Sequence, residues 1–202
     1  MARPKSYPSD LRQRLVSAAA DRLAHHGPNA LSLRELAQSQ GTSTSAIYTI
    51  FGGKAELIEA IVREAHDSFS AAQREALGAG DSLECLQRLG MAYRRWALDH
   101  SSLYLVMFGC PPEAPPPDIA FQSFEPLLNA VSHLIEAGTL RPSDARLLAR
   151  SMWAAVHGWV MLEITGGAER LPNQVFQLHL DTFMTGAASD ATRAAQASLR
   201  AR

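Results

Sequence analysis

The sequence predicts an all-α protein with two parts, a small N-terminal domain of three helices and a larger helical C-terminal domain. Apolar residues recur at spacings of three and four along most of the 202 positions, which is the helical period. Runs of Val, Ile and Thr that alternate with polar residues are absent. Gly and Pro interrupt the apolar pattern at intervals of one helix length, and a hydrophobic content of 47% suffices for a core.

Three helices are predicted in the N-terminal domain, at about 9–26, 33–40 and 44–51. Ser9 and Asp10 are residue types that cap the free N–H groups of a first helical turn. Ser32 and Glu35 have the spacing of a capping box, in which each side chain binds the other residue's backbone N–H. Gly41 is expected to form the turn between the second and third helices.

Six further helices are predicted, at about 54–76, 82–98, 101–109, 118–137, 143–164 and 173–185. The proline-rich segment CPPEAPPPD, residues 110–118, is predicted to be a loop or a stiff spacer. The tail is rich in Ala, Ser and Arg, which favours flexibility. The predicted bounds are 1–54 for the N-terminal domain, 55–188 for the C-terminal domain and 189–202 for a flexible tail.

The charge is distributed unevenly between these parts, although the whole chain has a formal net charge of −1. Residues 1–54 contain seven basic and three acidic residues, whereas the remainder contains twelve basic and seventeen acidic ones. A basic module on an acidic body is typical of a protein in which one part meets phosphate.

The expected location is the cytoplasm. The N-terminus has no apolar run after its positive charges, so a signal peptide is not expected, and no apolar run is long enough to span a membrane. The two cysteines, Cys85 and Cys110, are expected to be free thiols in a reducing compartment.

The segment SLRELAQSQGTSTSAIYTIFGGKAEL, residues 32–57, has the pattern of a helix-turn-helix. In such a motif the first helix braces the second, whose N-terminal side chains contact base edges in the major groove. Hydroxyl groups can donate to phosphates or bases, or accept from bases, and this segment clusters them. Spacing alone leaves an ordinary helical hairpin equally open. Arg3 and Lys5 are expected to lie along phosphates or to reach a minor groove.

Residues 10–57 resemble the DNA-binding domain of the TetR family of bacterial transcriptional repressors. The resemblance lies in the Ala-rich first helix ending HHGPNALSLRELAQSQGTS, in the aromatic residues of AIYTIF, and in GGKAEL, which opens the fourth helix. It implies contacts to bases or phosphates, and together with the hydroxyl cluster it marks Ser32, Thr42, Ser43, Thr44, Ser45, Tyr48, Thr49 and Lys54 as the DNA-binding residues. Thr44-Ser45, Ile50 and Gly52-Gly53 replace more basic or polar residues of relatives, so fewer or more water-mediated contacts are expected.

The same resemblance implies a homodimer on double-stranded operator DNA and an unknown small-molecule effector that releases the repressor. Three other roles stay open: a constitutive DNA binder, an activator, and a helical protein-interaction module without DNA binding. No catalytic triad, paired carboxylates, phosphate loop or metal-ligand cluster is recognisable, so neither an enzyme nor a cofactor or metal is expected.

Two sets of candidate residues follow for the C-terminal domain. The family resemblance favours a dimer interface over a monomer core for the first set, whereas an ordinary core explains the pattern of the second set equally well. The residues proposed for a dimer interface are Leu147, Leu148, Met152, Val156, Val175, Phe176, Leu180 and Phe183. Those proposed for an effector pocket are Tyr93, Trp96, Tyr104, Met107, Phe108, Phe121, Phe124, Trp153, His157 and Met161.

The stretch Trp153-Ala-Ala-Val-His157-Gly158 resembles the C-terminal domain of one TetR subgroup, named WHG for these three residue types. Trp153 and His157 are one helical turn apart and share a face. His157 is either a hydrogen-bonded core residue or a group that senses pH or binds a ligand. A metal role is not expected, because no second His or Cys has the spacing of a metal ligand.

Overall fold

A computed structural model of the protein describes residue 8 and residues 10–78, 82–108, 117–167 and 171–200. Within these residues the prediction of an all-α fold is confirmed, because the sole strand-like pairing is an isolated antiparallel bridge between Leu140 and Ala188. The helices are α1 Leu11–His26, α2 Leu33–Ser39, α3 Thr44–Phe51, α4 Lys54–Leu77, α5 Glu84–Asp99, α6 Ser101–Phe108, α7 Pro117–Glu136, α8 Ala145–Ile164, α9 Asn173–Ala187 and α10 Asp190–Arg200. Most of the proline-rich segment, residues 110–116, lies outside the described residues.

The chain divides into two compact units, and the division differs from the predicted boundary at residue 54. The N-terminal unit comprises residues 1–67 and 100–119, and the C-terminal unit comprises residues 68–99 and 120–202. The border therefore falls inside α4, and α6 belongs to the N-terminal unit. The sequence pattern placed α6 in the C-terminal domain, because hydrophobic periodicity identifies a helix but not the core that it joins.

One hydrophobic core explains why the N-terminal unit extends beyond the three predicted helices. Leu15 of α1, Leu36 of α2, Ile47 of α3 and Ile61 of α4 are completely buried in it. Val106 of α6 is 2% exposed and belongs to the same core. The helix-turn-helix thus shares one core with α1, the first half of α4 and α6.

The predicted capping box forms only in part. The Oγ of Ser32 accepts a hydrogen bond from the Glu35 backbone N–H at 3.4 Å, as expected. The Glu35 carboxylate instead accepts from Arg22 of α1 at 2.8 Å, which ties α2 to α1. At α1, Asp10 occupies the N-cap position but its carboxylate pairs with Arg14 at 2.9 Å and makes no cap hydrogen bond.

The C-terminal unit is built around α5, against which both α8 and α9 pack. Phe69 of α4 contacts two aromatic rings of α5 edge-on, Tyr93 with a centroid distance of 5.0 Å and Trp96 with one of 5.1 Å. Aromatic pairs of this geometry add to the stability that burial already provides. They fix the second half of α4 against α5.

A buried ion pair joins α5, α8 and α9, and no pattern in the sequence indicated it. Arg94 of α5 donates to both carboxylate oxygens of Glu163 of α8, at 2.7 and 2.8 Å. Its remaining donors bind the Leu171 carbonyl at 2.7 Å and the Asn173 side-chain oxygen at 2.6 Å. The side chains of the ion pair are 5% and 2% exposed. This network fastens the end of α8 and the start of α9 to α5.

Within the predicted flexible tail, the described residues 189–200 are helical from Asp190 onward, which differs from the expectation for them. They form α10, and the Ser189 backbone N–H and the Thr192 hydroxyl both donate to the Thr139 carbonyl, at 3.0 and 2.9 Å. The Arg141 N–H donates to the Ala187 carbonyl at 3.1 Å. A tail rich in Ala and Arg is a good helix former once its start is anchored in this way.

Candidate DNA interface and internal cavity

The turn between α2 and α3 is closed by backbone hydrogen bonds. The Gly41 N–H donates to the Gln38 carbonyl at 3.2 Å, and the Thr42 N–H donates to the Ala37 carbonyl at 2.9 Å. Gly41 has φ +64°, a left-handed conformation that glycine adopts without the steric cost of a Cβ atom. The chain therefore leaves α2 and re-enters a helix within a few residues, as a helix-turn-helix requires.

The helix α3 has one apolar and one polar face. Ser43 is its N-cap, and its Oγ accepts a hydrogen bond from the Ala46 N–H at 3.2 Å. Ala46 and Ile47 are completely buried in the core. The opposite face exposes the predicted DNA-binding residues of this helix, which are Thr44, Ser45, Tyr48 and Thr49.

Tyr48 is the most prominent side chain of that face, because 57% of it is exposed. A large aromatic side chain so exposed on a helix is available for a partner, and its hydroxyl can donate or accept a hydrogen bond. The Thr49 hydroxyl donates to the Ser45 carbonyl at 2.8 Å, so its proton is in use while its oxygen can still accept. Thr42 and Ser32 lie half-buried at the turn and at the start of α2.

The free cations of this unit are fewer than the sequence suggested. Three arginines of residues 10–54 are paired within the unit: Arg12 with Glu64, Arg14 with Asp10 and Arg22 with Glu35. In the described part of the chain, the side chains of Arg34 and Lys54 make no ion pair or hydrogen bond. Arg34 is exposed near the start of α2, and Lys54 is half-buried at the start of α4. Arg3 and Lys5 lie outside the described residues.

A cavity of ≈ 50 Å³ lies inside the C-terminal unit. It is lined from α4, α5, α7, α8 and α9 by Gln73, Leu86, Leu89, Gly90, Tyr93, Ser123, Phe124, Leu127, Met152, Trp153, Ala155, Val156, His179, Leu180, Phe183 and Met184. None of these lining residues is Asp, Glu, Lys or Arg. One water needs about 10–15 Å³ of such volume, so the cavity has room for a few waters, and a ligand of many atoms needs more space than it offers.

The predicted pocket residues are distributed over two units. Tyr93, Phe124 and Trp153 line the cavity. His157 lies directly behind it, with its Nδ1 3.1 Å from the Tyr93 hydroxyl and its ring 5.1 Å from that of Trp153.

The other members of this set do not line the cavity. Trp96 is buried against Phe69, Met161 is half-buried, and Phe121 is 43% exposed. The remaining three, Tyr104, Met107 and Phe108, belong to α6 of the N-terminal unit. The ring centroids of Tyr104 and Phe108 lie 5.0 Å apart. Fewer of the predicted residues therefore line the cavity than the aromatic pattern suggested.

Besides Ser123, two polar residues that the sequence pattern did not indicate line the cavity, and each has a buried polar atom without a partner. Gln73 of α4 is 4% exposed, and its side-chain nitrogen Nε2 has no hydrogen-bond partner. The Nε2 atom of His179 in α9 is likewise buried and unpartnered. Buried polar groups without a partner are rare in folded proteins, because losing water uncompensated is costly. Neither residue belongs to a motif, so nothing in the sequence pattern marked them.

Burial affects two histidines of the chain. It lowers the pKa of His157 below the ordinary value of a histidine, which favours the neutral ring at neutral pH. Burial also lowers the pKa of His66 in α4, against the opposing effect of the neighbouring Asp67 carboxylate. The hydrogen bond between His157 and Tyr93 agrees with the view of His157 as a hydrogen-bonded core residue.

The predicted dimer residues separate into two groups by exposure. Met152, Val156, Phe176 and Leu180 are buried within the subunit, and Phe176 has no exposed surface. Leu148 and Phe183 are half-buried, and Phe183 lines the cavity. Leu147 and Val175 are 65% and 40% exposed. A buried side chain offers no surface to a second copy. Of the predicted interface residues, the exposed Leu147 and Val175 therefore remain the strongest candidates.

The described residues contain no group of three or more His, Cys, Asp or Glu side chains that could hold a metal ion. Among them Cys85 is buried, while Cys110 lies outside the described part. No helix of the described chain combines the length and the apolar character that crossing a membrane requires.

Comparison with known protein families matches both parts of the chain. Residues 15–61 match the model described as bacterial regulatory proteins, tetR family, and residues 86–183 match the tetracyclin repressor-like C-terminal domain. With the helix-turn-helix and the helical unit that follows, these matches define a DNA-binding transcriptional regulator. The chain belongs to the TetR family, and membership implies operator DNA and a second copy as partners. Neither match distinguishes the WHG subgroup, which stays a prediction.

Individual proteins are similar to this chain in sequence or in fold. HTH-type transcriptional regulator Rv1816 of Mycobacterium tuberculosis is 24% identical over 205 residues, covering 82% of this chain and 87% of that protein. A solved protein of unknown function from Rhodococcus sp. RHA1 is 27% identical with a TM-score of 0.75, covering 93% of this chain and 100% of that one. The TetR family regulator PfmR of Thermus thermophilus has the same fold, with a TM-score of 0.72, 23% identity, and coverage of 89% and 97%.

Proposed function

We propose that this protein is a dimeric repressor that leaves its operator when a small molecule enters the cavity of the C-terminal unit. The observation that carries the DNA-binding part is the division of α3 into a buried apolar face and an exposed face of hydroxyl groups and Tyr48. The role proposed is regulatory and not catalytic, in agreement with the named relatives.

On DNA, α3 enters the major groove with Thr44, Ser45, Tyr48 and Thr49 toward the bases and the nearest phosphates. Ser32, Thr42 and Ser43 lie at the ends of the two helices, where hydroxyls contact the DNA backbone. Lys54 and Arg34 contact phosphates, because no carboxylate of the described residues neutralises them. Arg34 is an addition to the residues that the sequence suggested, and Arg3 and Lys5 remain candidates for further backbone contacts.

A second copy is proposed to pack on the exposed faces of α8 and α9. Leu147 and Leu162 of α8 are 65% and 52% exposed, and Val175 and Leu178 of α9 are 40% and 65% exposed. Apolar side chains of this size, exposed on neighbouring helices, are typical of a surface that a partner covers. Ser151, Ala154 and Gly158 lie between the two leucines on the same exposed stripe of α8 and permit close approach.

The dimer proposal is tested with two matched charge substitutions. Leu178→Glu places a carboxylate in the proposed interface, and Leu199→Glu makes the same change at a residue of α10 that is 73% exposed. We expect Leu178→Glu to yield monomers in light scattering at micromolar concentration, while Leu199→Glu stays dimeric. Dimers of unchanged affinity in Leu178→Glu would place the interface elsewhere.

The link between the cavity and the DNA-binding motif is α4. This helix begins at Lys54 and carries the cavity residue Gln73 nineteen residues later. A molecule larger than the ≈ 50 Å³ cavity displaces lining side chains, and Gln73 of α4 is one of the residues that line it. If it prefers a different position of α4, it lowers the affinity for DNA, with a coupling of about 1–3 kcal/mol.

DNA binding is tested by fluorescence anisotropy with DNA from beside the protein's own gene and with unrelated DNA, across a salt series. We expect selective binding that weakens steeply with salt. Tyr48→Ala should lose selectivity while keeping its helical content and melting temperature, and Leu199→Ala, which also trims an exposed large side chain, should bind like the parent protein. Equal weak binding to every sequence, including those from a random pool, would contradict the proposal.

A further inference from the structure

We propose that the ligand of the cavity is an uncharged, mainly apolar molecule with a carbonyl or hydroxyl oxygen that binds the side-chain amide of Gln73. This inference rests on the proposed function, since it takes the cavity as the effector site, and it adds the chemical class of the effector. It also assigns a binding role to Gln73 and to His179.

The apolar character of the proposed ligand is inferred from the residues that line the cavity. Most lining residues are aliphatic, aromatic or methionine side chains, contributed by five helices. Two of them, Met152 and Met184, are flexible thioethers that adapt to different shapes. A ligand binds such a wall more tightly the more apolar area it buries there.

The absence of charge on the ligand follows from the same wall. Among the described residues, no Asp, Glu, Lys or Arg lines the cavity, and the buried Arg94 is already paired with Glu163 outside it. Apart from His179, the described wall offers a carboxylate or ammonium group no ionisable partner of opposite charge, and burying such a group without one is far more costly than burying a neutral oxygen. We therefore expect the charged form of a ligand to bind at least about 100-fold more weakly than its neutral analogue.

The position of the ligand oxygen is inferred from the lining polar atoms that have no hydrogen-bond partner. Gln73 Nε2 is a donor without a partner on a side chain that is 4% exposed and lines the cavity. Tyr93 also lines the cavity, but its hydroxyl is engaged with His157 at 3.1 Å. The Gln73 Nε2 atom is therefore the donor that is available to a ligand oxygen without breaking another hydrogen bond. His179 Nε2 offers a second polar atom for a ligand that carries two such groups.

Gly90 provides a way to show that binding takes place in this cavity. A Cβ atom at Gly90 would lie 2.7 and 2.8 Å from the two terminal carbons of Leu180, and both residues line the cavity. Gly90→Ala therefore pushes the Leu180 side chain aside at the wall. We expect this variant to fold and to bind cavity ligands several-fold more weakly than the parent protein.

The test uses five probes with one phenylalkyl skeleton: benzylacetone, its alcohol, phenylbutyrate, phenylbutylamine and butylbenzene. Affinities are measured by titration calorimetry at neutral pH on the dimeric full chain, and by quenching of tryptophan fluorescence, since Trp153 lines the cavity. We expect the ketone and the alcohol to bind, butylbenzene to bind less well, and the two charged probes to bind at least about 100-fold more weakly.

Gln73→Leu is the decisive variant, because it keeps the approximate size and removes both polar atoms. It should weaken the ketone about 3–10-fold and leave butylbenzene unchanged or tighter, a difference that a purely structural role of Gln73 would not produce. Gln73→Asn, which retains an amide, should restore part of the discrimination. A charged probe that binds as tightly as the ketone and is weakened by Gly90→Ala would overturn the inference, as would failure of every neutral probe to bind.

The proposed function can fail separately from this inference. If the neutral probes bind with the expected dependence on Gln73 but leave the affinity for operator DNA unchanged at saturation, control by the cavity is refuted while its ligand chemistry stands. If charged probes bind the cavity and release DNA, the function stands and the assignment of an uncharged effector is wrong.

Discussion

The buried pair of Arg94 and Glu163 allows the sharpest prediction about stability. Arg94→Ala removes the guanidinium that binds the carboxylate twice, the Leu171 carbonyl and Asn173. It leaves the carboxylate of Glu163, which is 2% exposed, without its cation. Removing one partner of a buried pair costs about 3–5 kcal/mol. At about 2–4 °C per kcal/mol for a chain of this size, the melting temperature should fall by about 6–20 °C.

The double variant Arg94→Met with Glu163→Met serves as the control. It removes both charges and fills the space with flexible apolar side chains, so it should be more stable than either single variant. Melting curves are compared at one protein concentration, because dimerisation raises the apparent stability. A loss below about 1 kcal/mol for Arg94→Ala, or a double variant as unstable as the sum of the single ones, would refute this account of the network.

The same pair predicts how stability depends on acid. Burial by itself raises the pKa of Glu163, but the hydrogen bonds and the charge of Arg94 outweigh it, so the pKa lies below the ordinary 4.5. A lowered pKa in the folded state means that the pair contributes its full stability above that ordinary value. The contribution is lost as the pH falls through the lower, folded-state pKa. The stability difference between the parent protein and Glu163→Gln should therefore shrink in this acid range and stay constant near neutrality.

Three further predictions concern single side chains. Gly186→Ala in α9 adds a Cβ that meets nothing within 4 Å and should stabilise by about 0.5–1 kcal/mol in urea unfolding, whereas Gly138→Ala, at φ +72°, should destabilise by about 1 kcal/mol. The opposite order would contradict the backbone geometry. Ser43→Ala removes the cap of α3 and should cost about 1 kcal/mol, while Ser43→Asp, which can still cap, should cost less. Lys54→Ala should lower the slope of log affinity for DNA against log salt by about 1.8, which is about 0.9 for each of the two Lys54 side chains of a bound dimer, and Lys54→Arg should leave it unchanged; equal slopes would remove Lys54 from the phosphate contacts.

Helices were predictable from the sequence because their signals are local. The apolar period, the cap at Ser32 and the glycine turn at Gly41 act within a few residues of each other, and the structure places helix bounds within a few residues of those expected. The flexible tail was mispredicted for the opposite reason. Its order depends on hydrogen bonds to Thr139, which is 53 residues from Thr192 in the chain, and no local pattern reveals such a contact.

The candidate site was predictable only in part. The hydroxyl-rich face of α3 follows from period and residue type, so Thr44, Ser45 and Tyr48 could be assigned to one surface. The cavity could not be derived in this way, because an aromatic stripe has the same pattern in a core and in a pocket. Tyr104 and Tyr93 both fit that pattern, yet the structure places them in different units. Gln73 and Arg94 acquire their importance from neighbours on other helices.

The position of α6 has a consequence for exchanging DNA-binding modules between relatives. Residues 100–119 complete the N-terminal unit, and Val106 occupies its core, although they are separated from residue 67 by the whole of α5. A chimera joined at residue 54 or 67 would therefore set a foreign α1 against the native α6. The transplantable module is discontinuous in sequence, and a functional graft has to carry α6 along with the helix-turn-helix or match the two surfaces by redesign.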